Sequence, residues 1–390
     1  MVLLQAAPSG AAGVHPGFRT APGSVLAHGG GTAHAGHIVG TLAHPFSTTG
    51  YIYAEDGTYP TDGITVYKVS GHTLSQIQQV TTGEEDGTFY GADHLALTNP
   101  GSGDCLIAVN SGDPDSDNGG IESFTVGSNG MLTNVSTLTV AGYADEVVAN
   151  SSTAYVSTSN SYTTTPALFS YSIGSGCALT ASGSISTGSE NDVTIGLAAN
   201  GDVLSADYNS GNWVAYNASL TSEISNSVST GETVPQGVTV LSEGAHSNVY
   251  AGQVSDPAYI EGANFTGTSF HNVSGSPVDS NECNGAATAG SVNYRAVYEA
   301  NQCSGTITWA NVGPSSMSYG GAATLADTSN DPTQMTPVTG NLLVAGAYGE
   351  LADCALSSAG VGTCRTLLDL PGYGDDYSGS TAVILGTPPR

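Results

Sequence analysis

Tyr51-Ile-Tyr-Ala-Glu55, Leu106-Ile-Ala-Val-Asn110, Ala154-Tyr-Val-Ser-Thr158, Val203-Leu-Ser-Ala-Asp207, Asn248-Val-Tyr-Ala-Gly252, Arg295-Ala-Val-Tyr-Glu299 and Leu342-Leu-Val-Ala-Gly346 are versions of one short apolar run. Each ends on a small or polar residue and passes into a Gly/Asn/Ser-rich loop. Their last residues lie 55, 48, 49, 45, 47 and 47 positions apart. A period of roughly 40–50 residues built from strands and turns is the signature of a β-propeller with one blade per repeat. Seven copies predict seven blades, so the expected fold is all-β: a seven-bladed β-propeller with four-stranded antiparallel blades.

The second repeat shows the internal order. His94–Thr98 reads as strand a and Leu106–Asn110 as strand b, with a turn at Asn99–Gly103 between them. Ile121–Val126 reads as strand c. The Asn129-Gly130 pair then makes a hairpin into strand d, Leu132–Val140. The c–turn–d unit recurs at Ile64–Val80, Leu168–Ile185, Trp213–Val228 and Ile307–Leu325, and is degenerate around Phe270. After the last d strand, Cys364–Leu370, comes one more apolar run, Thr381–Leu385. It is expected to pair with the first blade and close the ring, leaving no sheet edge open there. Residues 1–36 are a Gly/Ala/Pro/His-rich tail without periodicity, and the blades fill 37–390. Such a tail has too few large apolar side chains to fold alone, so it is expected to lie along another copy in a homo-assembly or to be poorly ordered.

Composition limits the partners. The chain has five basic residues against 33 acids, a net charge of −28, and only 10% charged residues. That balance argues against binding nucleic acid. No apolar run is long enough to span a membrane, and Met1-Val-Leu-Leu-Gln-Ala-Ala lacks the basic and apolar regions of a signal peptide. A neutral, hydroxyl-rich surface fits a secreted or cell-surface protein. Strand order puts most of the acids on the face that carries the b–c and d–a loops, among them Glu55, Glu84, Glu85, Asp86, Asp192 and Asp375. A cation or a basic partner is the expected visitor to that face.

The second repeat also resembles the seven-bladed lactonase-type propellers, the group of bacterial 6-phosphogluconolactonases and fungal muconate-lactonising enzymes. The resembling residues are Gly91-Ala-Asp-His94-Leu-Ala-Leu97, Leu106–Asn110, Gly119–Val126 and Asn129-Gly130-Met-Leu132. The resemblance implies that His94, at the mouth of strand a, is a general base on a lactone-activating water, with a neighbour such as Asp93 orienting it. Related enzymes present arginines and a glutamate around the mouth. Here the matching stretch is Tyr143-Ala-Asp145-Glu146, acids in place of a basic residue, and strand b of the third repeat ends on Thr158. Arg295 is the one basic residue expected near the ring interior. A phosphorylated or carboxylated lactone needs several cationic contacts. The expected function is therefore a secreted or cell-surface binding or structural module. The alternative is a hydrolase or isomerase of a neutral lactone that uses His94 with Asp93, Asp145 and Glu146.

Six cysteines point to an oxidising compartment. Loops on the same face bring together Cys105 with Cys177, Cys283 with Cys303, and Cys354 with Cys364. Free buried thiols or other pairings are also compatible with the sequence. One loop, Asp113-Pro-Asp115-Ser-Asp117-Asn118-Gly119, sets carboxylates at alternate positions, as Ca²⁺ loops do. Asp113, Asp115 and Asp117 are its candidate Ca²⁺ ligands, although Asn118 and Phe124 occupy positions where an EF-hand requires Gly and Glu. The acidic loop reads equally as a solvated turn.

Overall fold

The computed structural model describes residues 37–385, apart from residue 39 and the stretches 57–62, 83–93, 114–117, 160–164, 188–193, 209, 230–234, 244–245, 281, 283–284, 327–331, 347–349 and 370–380. Strand β1 is His37–Ile38. Blade 1 contains β2 (Phe46–Asp56), β3 (Gly63–Gly71) and β4 (Thr73–Thr81). Blade 2 contains β5 (Leu95–Thr98), β6 (Cys105–Asp113), β7 (Asn118–Val126) and β8 (Leu132–Ala141). Blade 3 contains β9 (Tyr143–Ala149), β10 (Thr153–Ser159), β11 (Ala167–Ile173) and β12 (Leu179–Ser186). Blade 4 contains β13 (Ile195–Leu197), β14 (Val203–Ala206), β15 (Asn212–Tyr216) and β16 (Glu223–Ser229).

Blade 5 contains β17 (Pro235–Glu243), β18 (His246–Gln253) and β19 (Tyr259–Phe265). Its fourth position is split between β20 (Phe270–Asn272) and β21 (Val278–Asp279), which both pair with β19. The degenerate repeat around Phe270 thus keeps its place with two short segments. Blade 6 contains β22 (Gly285–Ser291), β23 (Ala296–Asn301), β24 (Thr306–Val312) and β25 (Met317–Thr324). Blade 7 contains β26 (Pro332–Val338), β27 (Asn341–Gly346), β28 (Glu350–Ser357) and β29 (Gly360–Asp369). The last strand, β30 (Thr381–Leu385), joins the edge of β2.

The seven sheets are antiparallel, and the repeated apolar runs are the second strand of every blade. The first strands of blades 2 to 7, together with β30, touch in sequence around the ring, from β5 through β9, β13, β17, β22, β26 and β30 back to β5. They are therefore the innermost strands. The core sits between blades. One apolar cluster fills each of the seven gaps, as with Tyr53, Ile64, Leu106 and Phe124 between blades 1 and 2. This follows from the period-2 alternation of the strands, because each face of a blade's sheet is apolar toward one neighbour.

Polar latches add to the apolar contacts. Tyr53 donates its hydroxyl to the Gly130 carbonyl at 3.1 Å, and Tyr155 to the Ala218 carbonyl at 2.8 Å, each reaching the outer hairpin of the next blade. Gln78 bonds both backbone groups of Leu132 across the first gap. Gly130 has φ +79°, and a Cβ there would lie 2.1 Å from the Tyr51 ring. The Asn129-Gly130 turn therefore needs glycine for its backbone and for its neighbour.

Both ends of the described chain serve ring closure. β30 supplies the innermost strand of blade 1, with Tyr51 opposite Ile384. β1 adds a fifth strand outside blade 7, with His37 opposite Asp369 and Ile38 opposite Leu368. The chain then crosses to β2, burying Leu42 and Phe46 in the gap between blades 7 and 1. Among the described residues no helix is long and apolar enough to cross a membrane.

Candidate functional site

Strand order puts the ends of the second strands and the starts of the first strands on one face, where the b–c and d–a connections run. His94 immediately precedes β5, and Glu55 lies near the end of β2. His94 Nδ1 and Glu55 Oε2 are 2.8 Å apart, so the pair joins blade 2 to blade 1. Their side chains are 1% and 2% exposed. The carboxylate beside the histidine is thus Glu55, while Asp93, the neighbour expected to orient it, lies outside the described residues.

Asp145 and Glu146 are also buried, at the start of β9. Asp145 is the extra residue of a bulge between Ala144 and Glu146, and the two acids have different partners. Asp145 Oδ1 accepts the Ser159 hydroxyl at 3.1 Å within blade 3. Glu146 Oε2 accepts the Ile195 backbone N–H at 2.8 Å, tying blade 3 to blade 4. His94, Asp145 and Glu146 are therefore each seated against a different group. Glu55, Asp145 and Glu146, read from the sequence as mouth residues, make hydrogen bonds between strands and blades.

Glu299, on β23, is fully buried. Its Cα partners across the sheet are Thr288 and Thr308. Among the described residues neither carboxyl oxygen has a partner with full hydrogen-bond geometry. The nearby Ser280 hydroxyl is given to the Ala258 carbonyl at 2.8 Å. Burial pushes the Glu299 carboxyl up to about 8, against smaller downward pulls from Ser280 and the Gln253 backbone, with Asp279 adding to the rise. The group packs closely against a glycine: a Cβ at Gly285 would fall 2.2 Å from its Oε1. Its signal in the sequence was its place at the end of a repeat run, the position that Glu55 and Asp207 hold in the first and fourth runs.

Basic residues stand away from this ring. Arg295, expected near the interior, is exposed on the turn between β22 and β23, at the other end of its strand from Glu299. A turn takes it there: its φ is +49°, and it precedes the strand rather than ending it. Lys68 and Arg365, the other two cations among the described residues, are exposed as well.

Cys105 is bonded to Cys177, stapling blades 2 and 3 with a Cα–Cα distance of 5.6 Å. Cys354 is bonded to Cys364, its direct partner across β28 and β29. Cys303 is also disulfide-bonded, and its expected partner Cys283 lies outside the described residues. No cysteine among the described residues is free. Asp115 and Asp117 lie outside them too. Asp113 ends β6 opposite Asn118, but its side chain is not among those described. Also outside are Glu84, Glu85, Asp86, Asp192 and Asp375. Among the described residues no group of three His, Cys, Asp or Glu is placed to hold a metal ion.

No family model and no curated protein matches the chain by sequence. Solved structures do match by shape. The chain is similar to the periplasmic gluconolactonase of Pseudomonas aeruginosa, with a TM-score of 0.65 at 14% identity, over 87% of this chain and 100% of the other. It is similar to a proposed 6-phosphogluconolactonase of Bacteroides uniformis, with a TM-score of 0.63 at 11% identity, over 86% and 99%. A chain in the mitotic checkpoint complex also matches, with a TM-score of 0.51 at 11% identity, over 73% and 81%. At these identities the likeness is one of fold alone: a seven-bladed β-propeller.

Proposed function

We propose that this protein is a secreted or cell-surface binding or structural module built on a lactonase-like propeller. The observation that carries the reading is the burial of the Glu55–His94 pair in the seam between blades 1 and 2. A general base must reach the proton it removes, directly or through one water. A histidine sealed at 1% exposure and held by a carboxylate of the next blade serves the ring as a cross-blade clamp. The cations support the same reading, since the three among the described residues, Lys68, Arg295 and Arg365, are all exposed. With a net charge of −28, the face accommodates a neutral or cationic partner and repels phosphosugars. Disulfide-bonded cysteines favour an oxidising compartment.

A second reading rests on one geometric fact. A histidine 2.8 Å from a carboxylate is also the arrangement of a base and its orienting group. In that case the substrate is a neutral lactone and the reaction its hydrolysis, with His94 removing a proton from water. The deciding experiment compares wild type and His94→Ala on a panel of neutral and phosphorylated lactones, with melting temperatures measured in parallel. The module reading expects no turnover above background and a lower melting temperature for the variant. Turnover by wild type that falls roughly 10²-fold in His94→Ala at an unchanged melting temperature would establish the enzyme instead.

A further inference from the structure

The strap from β1 to the start of β2 is held by one buried acid. Gly40 N–H donates to the Leu367 carbonyl and Leu42 N–H to the His72 carbonyl. Asn341 brackets the next residue, accepting the His44 N–H at 2.8 Å and donating to the His44 carbonyl at 3.1 Å. Between these, the Ala43 N–H donates to Asp353 Oδ2. Asp353 is wholly buried on β28, and its other oxygen, Oδ1, has no hydrogen-bond partner among the described residues. The carboxyl that fixes the middle of the strap is therefore poorly compensated if it carries a charge, because one backbone donor serves two oxygens.

We propose that residues 40–46 are a pH-sensitive latch: the buried Asp353 carboxyl holds the strap shut over the seam between blades 7 and 1 in acid, and its ionisation loosens the strap. When the strap lifts, water reaches the carboxylate, and Leu42 and Phe46 leave the seam they share with Leu343, Leu367 and Leu368. Burial is the largest influence on Asp353 and pushes it up to about 7, against lowering by the Ala43 N–H and by Arg365. A raised value means that the closed strap prefers the protonated acid. The contribution is complete below the ordinary carboxyl range near pH 4 and is lost as pH climbs through 7.

The surrounding charged groups are few. Arg365 lies directly across the sheet from Asp353 and is exposed. Glu350 and Asp369 pair at the far ends of β28 and β29, and Lys68 is exposed on β3. His72 Nδ1 is 2.8 Å from the Leu42 carbonyl, and His44 is exposed on the strap. Both imidazoles lie at the strap, so the test must separate them from Asp353.

Hydrogen exchange of the full chain, read by mass spectrometry as protection factors corrected for the pH dependence of the intrinsic rate, makes that separation. Between pH 5.5 and 8.5 the protection of residues 40–46 is expected to fall at least tenfold more than that of β6, β10 and β14, which follow global stability. Asp353→Asn should flatten the strap's dependence, and a double His44→Gln, His72→Gln variant should retain it. Equal strap protection at both pH values in wild type overturns the latch. A parallel loss in β6, β10 and β14 overturns it also, since the opening is then global. Persistence of the dependence in folded Asp353→Asn does the same. If Asp353→Asn fails to fold, the histidine variant decides: a dependence lost there assigns the effect to imidazole and refutes Asp353.

Discussion

Replacing Glu299 with glutamine should reverse its effect on stability between acid and neutral pH. Glu299 is fully buried, and burial raises its carboxyl from 4.5 to about 8. The folded state therefore binds a proton that the unfolded state releases, and unfolding free energy falls with rising pH. The contribution is whole below about pH 4.5 and is lost through pH 8. At about 1.4 kcal/mol per pH unit across that interval, the loss is on the order of 4–5 kcal/mol. Glutamine matches the neutral acid in shape and cannot ionise. Urea melts of wild type and Glu299→Gln from pH 4.5 to 8.5 measure it. Wild type should be the more stable of the two, or equal, at pH 4.5, and the variant should gain by several kcal/mol as pH rises. Comparing the two cancels the slope contributed by other acids, Asp353 among them, provided that they act independently. Parallel curves with a constant offset would refute the claim that a neutral acid is buried in the seam between blades 5 and 6.

Further outcomes follow from the same structure. Gly130→Ala should destabilise by about 1–3 kcal/mol, because it strains a left-handed backbone and drives a methyl group into Tyr51; chemical denaturation measures it. Removing Cys105–Cys177, which closes a separation of 72 residues, should cost about 4 kcal/mol by loop entropy, against about 3 kcal/mol for Cys354–Cys364, separated by 10. Equal losses would show that loop length is not what these bridges act through. Truncation after residue 380 removes β30 and exposes the edge of β2. Light scattering should then report aggregation or pairing between chains, and a stable monomer would contradict the closure.

The fold was legible because the propeller repeats itself. A pattern that is weak in any one copy, such as the run ending in Asp207 or Gly252, became decisive at a constant period, and a motif such as Asn129-Gly130 marked its own turn. The candidate site was less legible because its contacts cross from blade to blade. Nothing near His94 in sequence points to Glu55, which lies 39 positions away in another sheet; proximity along the chain favoured Asp93. Glu146 meets a backbone N–H of the next blade, a partner without a side-chain signature. The strap was hidden for a different reason. Its anchors are Leu42 and Phe46, two isolated apolar residues in a stretch rich in glycine and histidine, and its polar partners Asp353 and Asn341 lie some 300 positions further on.

The pairing of β2 with β30 has a consequence for how the molecule is made. Tyr51 must find Ile384, a residue translated 333 positions later. At about 5–20 residues per second, the ribosome delivers that partner roughly 15–70 s after Tyr51 itself. Throughout that interval blade 1 is a three-stranded sheet with an unsatisfied inner edge, while blades 2 to 6 can assemble on one another as they emerge. Nascent chains are thus vulnerable at blade 1, and a chaperone that shields β2 until β30 emerges would act on the step that completes the ring.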